Sequence, residues 1–208
     1  METIELIALT MGVGWASGIN LYAVIMMLGI LSMTGNMELP QQMEIVQNPL
    51  VLGTASIMFL VEFLVDKVPG VDTAWDAIHT FIRIPAGAML ASSAIGDVTP
   101  AVEFAALLTG GGLAATSHTI KAGSRAVINT SPEPMSNWIA SITEDFAVVA
   151  GLYAALNHPV GFLIFLVLFI LFAIWIIPKI WRGIKKIYAI IKGFFSSSKT
   201  TGEKTIES

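Results

Sequence analysis

Glu62 and Asp66 are one helical turn apart, and they open a run through Lys67, Asp72, Asp76, His79 and Arg83 that holds seven ionisable groups in a chain only 12% charged. Each such group costs a few kcal/mol in lipid, so their placement beside apolar segments marks a working site. Two carboxylates on one face repel unless Lys67, a basic group from another helix or a cation bridges them; the pair suits a proton relay, a cation site or a salt-bridged helix end. Asp72, Asp76, His79 and Arg83 follow at offsets 0, 4, 7 and 11 and share a face. The first three offer oxygen and imidazole ligands for a divalent metal, or groups for acid–base chemistry; a solvated amphipathic helix gives the same pattern. A stripe of opposite sign, His118, Lys121, Arg125 and Asn129 at offsets 0, 3, 7 and 11, suits an anionic ligand, or pairs with the acidic stripe and needs none. Asn20 lies among glycines, where it could break a helix and expose carbonyls to a solute. Glu144 and Asp145 fall inside an apolar segment; as neighbours in sequence they cannot share one cavity, and Glu144 is the preferred member.

These groups must be positioned by membrane helices. The chain has 208 residues, is 55% hydrophobic and has a mean hydropathy of +0.76, which excludes a water-soluble core and indicates one all-α, polytopic membrane bundle. Without cysteine it has no disulfide, thiolate zinc site or iron–sulfur cluster. Its N-terminus lacks the basic start of a secretory signal, so the first apolar stretch reads as a retained helix. Six spans are expected, at 4–31, 49–64, 82–95, 100–117, 138–156 and 160–177; several fall short of the roughly 20 residues of a straight crossing, as broken or re-entrant helices do. The connections with Glu38 and Glu44, with Asp97, and with Asn157 and His158 hold no Lys or Arg. Six crossings therefore put every basic residue, and both termini, on the cytoplasmic side of the inner (plasma) membrane.

Residues 1–178 form the membrane domain. Ala8, Leu9, Gly12, Gly14 and Ala16 align without gaps onto Ala106, Leu107, Gly110, Gly112 and Ala114, an inverted repeat of halves 1–97 and 98–178 if six helices cross, or a recurrence of the small residues that tight packing in lipid uses. After Pro178, Ile180, Ile184, Ile187, Ile191 and Phe194 make one apolar stripe flanked by Lys and Arg: an amphipathic helix over 179–195 in the headgroup plane, held by anionic lipid, or a straight extension of the last span. Residues 196–208 read as a disordered tail.

The strings Ser17-Gly-Ile-Asn20-Leu-Tyr22, Glu62-Phe through Asp66-Lys67-Val-Pro69, Asp72-x-x-Trp75-Asp76-x-x-His79-Thr-x-Ile-Arg83, and His118-x-x-Lys121-Ala-x-x-Arg125 through Asn129-x-Ser-Pro-Glu-Pro resemble a bacterial integral-membrane family known as domain of unknown function 4126. The resemblance covers about residues 5–158 and implies a multi-pass membrane protein without an assigned activity.

Three functions fit these residues. In the leading one, a small-solute or ion transporter or channel, Glu62, Asp66 and Glu144 handle a cation or proton, and Asn20, His118, Lys121 and Arg125 line the path. In the second, an enzyme at the membrane face, Asp72, Asp76 and His79 hold a divalent metal while Lys121 or Arg125 grips the phosphate of a lipid or headgroup; no nucleophile or phosphatase motif supports it. The third is a scaffold with partners at its cytoplasmic loops. The bilayer is the one certain partner, an oligomer is compatible with the pattern, and the few basic residues argue against nucleic acid.

Overall fold

The computed structural model describes residues 2–130 and 134–203, and it is all-helical among them: α1 (Thr3–Met33), a short 3-10 helix (Gln41–Gln47), α2 (Pro49–Val65), α3 (Val71–Ala94), α4 (Pro100–Ile128), α5 (Pro134–Asn157) and α6 (Pro159–Glu203). Apolar composition along these helices makes this a membrane-embedded bundle. Among the described residues three helices are long and apolar enough to cross a membrane, Thr3–Met33, Met135–Asn157 and Pro159–Ala189, and a fourth crossing is available if Gln41–Gln47 and Pro49–Val65, bent by 63°, act as one. α3 and α4 fall outside that set because each carries its polar stripe inside the helix. The acidic stripe, expected ahead of a span, and the span itself are one element, Val71–Ala94; likewise α4 continues through the basic stripe to Ile128.

α1 does not run from one end of the bundle to the other. Asn20 has φ −147° and ψ 96°, a single non-helical residue between arms 3–19 and 21–33. The first arm packs in parallel with α4: a side chain on Gly14 would strike the Gly110 backbone, and one on Gly18 would strike Ala114 and Ser117. The second arm turns back. Gly29 lies against Val46 and Leu52, at the start of α2, and the loop residues Glu38 to Gln42 line one cavity with Leu6 and with Ile95 to Val98. α1 thus begins and is left at the same end. The remaining five helices alternate up and down, which puts the N-terminus at the end holding Glu38 and Asp97, and α6 past Pro178 at the end holding Lys67 and Asn129.

Two expectations change with that turn. Six crossings with both termini on one side are not confirmed: three or four stretches are long and apolar enough to cross, and α1 breaks at Asn20 and returns to the end of the bundle where it began, while the other five helices run end to end. The segments aligned as an inverted repeat lie side by side in the same direction, which an inversion between them would not produce. The C-terminal segment expected in the headgroup plane continues α6 through Pro178 without a break, with Ile180 packed on Gly123 and Gly183 beside Val127. The backbone is helical to Glu203, into the expected disordered tail, whose residues 204–208 lie outside those described, as do residues 131–133 of the loop before α5.

Close backbone approach holds the arms of this frame. Trp15 fills the centre, edge-on to Phe162, Phe165 and Phe169 of α6 and against Gly151 of α5. Aromatic edge-to-face contacts and shape complementarity supply association where lipid on the outside is as apolar as the interior.

Candidate functional site: an ion-paired network at the turn of α1

The break at Asn20 follows from its side chain. In an unbroken helix the Ala23 amide would bond the Ile19 carbonyl; here it donates to Asn20 Oδ1 at 3.0 Å, so Asn20 caps the second arm. The Ile19 carbonyl, at the end of the first arm, accepts instead from Lys121 Nζ at 3.2 Å. Ser117 Oγ, one turn earlier on α4, donates to the Trp15 carbonyl at 2.7 Å. A cation at a helix C-terminal end also meets the negative pole of the arm's dipole. Asn20 Nδ2 in turn donates to Asp145 Oδ1 at 3.0 Å, fastening the break to α5.

Lys121 is the hub. Its ammonium pairs with Glu62 at 3.1 Å and Asp66 at 2.8 Å, and lies 3.6 Å from Glu144. Glu62 pairs also with Arg83 at 2.7 Å, and Arg83 with Asp76 at 2.8 Å. Arg125 holds Glu144 at 2.6 Å and 3.3 Å through two nitrogens, and stands 3.7 Å from Asp66 and 3.8 Å from Asp72. The same guanidinium donates to the carbonyls of Asp66 and Asn137. The cation that bridges Glu62 and Asp66 is therefore on another helix. Lys67 turns away, donating to the Phe63 carbonyl at 2.8 Å and sitting 3.0 Å over the Phe63 ring.

Among the described residues five carboxylates, Glu62, Asp66, Asp72, Asp76 and Glu144, face three cations, Arg83, Lys121 and Arg125, which leaves that network, fully ionised, two positive charges short. Second oxygens of Glu62, Asp66, Asp72, Asp76 and Asp145 are buried without a hydrogen-bond partner. Burial of this kind is costly, so these oxygens are where protons, water or a cation would be taken up.

The expected metal set is not assembled. Asp72 Oδ1 accepts from the amides of Gly70 and Thr73 and from Asn129 Nδ2, while Gly70, at φ +86°, takes the cap position expected of Asp72. Asp76 pairs with Arg83. His79 Nδ1 donates to the Trp75 carbonyl at 2.9 Å, which leaves Nε2 to accept from the Tyr22 hydroxyl at 3.1 Å. With both ring nitrogens engaged and the carboxylates turned to other partners, no group of three or more metal-ligating side chains forms among the described residues. These residues do not fit a divalent ion, and the phosphate role of Lys121 and Arg125 is likewise taken by carboxylates.

Both stripes keep their predicted single faces, but the faces are buried and meet. Asp72, Asp76, His79 and Arg83 are at most 3% exposed, so the solvated-helix reading fails. His118 joins them: its Nε2 donates to Thr80 Oγ1 at 2.7 Å, since that hydroxyl gives its own proton to the Asp76 carbonyl, and Nδ1 accepts from Arg83 at 3.3 Å. Asn20, Glu62, Asp66, His118, Lys121, Arg125 and Glu144 thus lie together at the turn of α1. Sequence reasoning set Asp145 aside, because neighbours cannot share a cavity; the structure uses both, Glu144 toward Arg125 and Asp145 toward Asn20. It also missed Tyr22, Ser117 and Asn137, whose polar groups are single and carry no spacing signal.

A family model described as "Domain of unknown function (DUF4126)" matches residues 7–179 of the chain. No curated protein and no solved structure matches it.

Proposed function

The chain belongs to the DUF4126 family, and we propose that it is a solute or ion transporter of the plasma membrane whose working part is the turn of α1 at Asn20 against the ion-paired network. The observation that carries the reading is the pair of helix ends inside the bundle, one capped by Asn20 and the other held by Lys121. Discontinuous helices of this kind offer backbone dipoles and free carbonyls to ions and solutes at depth in the membrane. The shortage of two positive charges supports coupling to protons or a cation. No observation favours the enzyme or scaffold readings over this one.

Sidedness is set by charge. No Lys or Arg precedes Lys67, and Glu2, Glu5, Glu38, Glu44 and Asp97 lie toward the end where α1 starts. By the positive-inside rule the opposite end is cytoplasmic, so the N-terminus faces outward and α6 ends inside. The native chain has no cysteine, so single cysteines at Glu38 and Lys185 report this directly: an impermeant maleimide is expected to label intact cells at the first and not the second. The transport reading predicts proton-linked flux in proteoliposomes that Glu62→Gln and Asn20→Ala abolish; flux unchanged in both would refute it.

A further inference from the structure

Two charge-bearing side chains at the turn stand outside the ion pairs, Asp145 and Lys67. Among the described residues Asp145 has no cation at ion-pair distance. Its Oδ1 accepts from the neutral amide of Asn20 at 3.0 Å, and its Oδ2 is buried without a partner. Lys67, nine-tenths buried, holds the Phe63 carbonyl and ring and reaches Ser141 Oγ at 3.4 Å. Ser141 is one helical turn before Asp145 on α5, so the ammonium is within electrostatic reach of the carboxyl without pairing with it. The other charges around Asp145 are committed. α2 brings Glu62 and Asp66, and α4 brings Lys121, whose ammonium those two share. α1 presents the uncharged Asn20, α6 carries no charged residue between Pro159 and Pro178, and the neighbouring Glu144 faces Arg125. A buried carboxylate without a cation is costlier than its neutral acid, and such a group keeps its proton instead.

We propose that Asp145 is a proton-binding site: its Oδ2 carries a proton at neutral pH, and when that proton passes to water, Lys67 swings from the Phe63 carbonyl to the ionised carboxylate. Lys67 stays an ammonium throughout, so the O–H bond at Asp145 is the one that breaks and an ion pair takes its place. The loss also turns the Asn20 bond into a charge-assisted one, roughly twice as strong as a neutral bond. The proton therefore loosens the hold of α5 on the break of α1, and its departure tightens it. The site itself is independent of the transport reading; only the further step, that Asp145 carries the proton coupled to flux, rests on it.

The test is the infrared spectrum of the full chain in detergent, followed with pH. At neutral pH it is expected to contain a protonated-carboxyl band that Asp145→Asn removes, a change that keeps an accepting oxygen for Asn20. The band is expected to fade as the pH rises. Lys67→Met, which leaves Asp145 and Asn20 in place and takes away the counter-charge, is the second variant; it is expected to move the midpoint of that fading upward by about one unit. A spectrum unchanged by Asp145→Asn, or a midpoint that Lys67→Met leaves in place or lowers, overturns the proposal. The band without proton-linked flux in proteoliposomes upholds the site and overturns transport; flux without the band does the reverse.

Discussion

α1 and α4 share a pattern of small residues and lie side by side in parallel, yet one is broken in its middle and the other runs unbroken for 29 residues. The difference lies in the polar residues after the shared stretch. α1 follows its glycines with Asn20, a short amide that takes over the Ala23 amide and ends the helix. α4 follows its own with Ser117 and Lys121, side chains that keep their helix and reach across to what α1 exposes. One helix supplies bare backbone and the other supplies its partners. A re-entrant turn in lipid needs such a companion, because an unsatisfied carbonyl there costs several kcal/mol.

The hardest blow to that partnership is at Lys121. Lys121→Met leaves Glu62 without one of its two cations, Asp66 without its nearest one, and the Ile19 carbonyl without a donor. Removing one member of a buried ion pair costs about 3–5 kcal/mol, so the variant is expected to be recovered poorly and to melt well below the native chain in detergent. Adding Glu62→Gln should restore part of the loss, since one stranded charge is removed. A double variant no more stable than the single one would show that Lys121 acts elsewhere than on Glu62.

Packing comes next. Gly14 faces the Gly110 backbone so closely that a Cβ would sit 2.7 Å from its Cα. Gly14→Val is expected to cost about 1–3 kcal/mol, the range for forcing volume into a filled core, and to push α1 and α4 apart. A thermal midpoint unchanged from the native chain would mean that the two helices do not meet there.

Asn20→Ala removes the cap of the second arm, about 1 kcal/mol, while leaving the surrounding ion pairs in place. Modest destabilisation with complete loss of flux would separate the turn's proposed role in transport from its role in folding. Asn20→Asp keeps an accepting oxygen for the Ala23 amide but turns the contact with Asp145 into two facing buried carboxylates, and is expected to lose stability as well as flux.

How much of this could be read from the residues alone depends on where the information sits. Helix positions are carried by apolar runs with Pro at the first turn, as at Pro49, Pro100 and Pro159, and these were legible. So were the two stripes, because a spacing of three and four fixes a face whatever the face meets. The direction of α1 was not legible: one asparagine in an apolar run reads as a polar residue in a crossing helix, and the turn depends on Lys121, 101 positions later, to hold the freed carbonyl. The ion pairs were open between two readings for the same reason, since sequence gives the sign of each stripe and not the distance between them. Asp145 was lost to a sound rule applied too narrowly, as adjacent residues can serve different partners on either side of one helix.

The smallest expected effect is also the cleanest test of the likeness between α1 and α4. Gly14 aligns onto Gly112, and a shared structural role would make both intolerant of a side chain. A Cβ on Gly112 meets nothing within 4 Å, and a helix interior with Ala in place of Gly gains roughly 0.5–1 kcal/mol from the unfolded state's lost freedom. Gly112→Ala is therefore expected to raise the thermal midpoint slightly and leave flux unchanged, while Gly14→Ala lowers it. If Gly112→Ala destabilises the protein as Gly14→Ala does, the two helices use their glycines alike, and the asymmetry drawn between a broken helix and its unbroken companion would have to be placed in Asn20 alone.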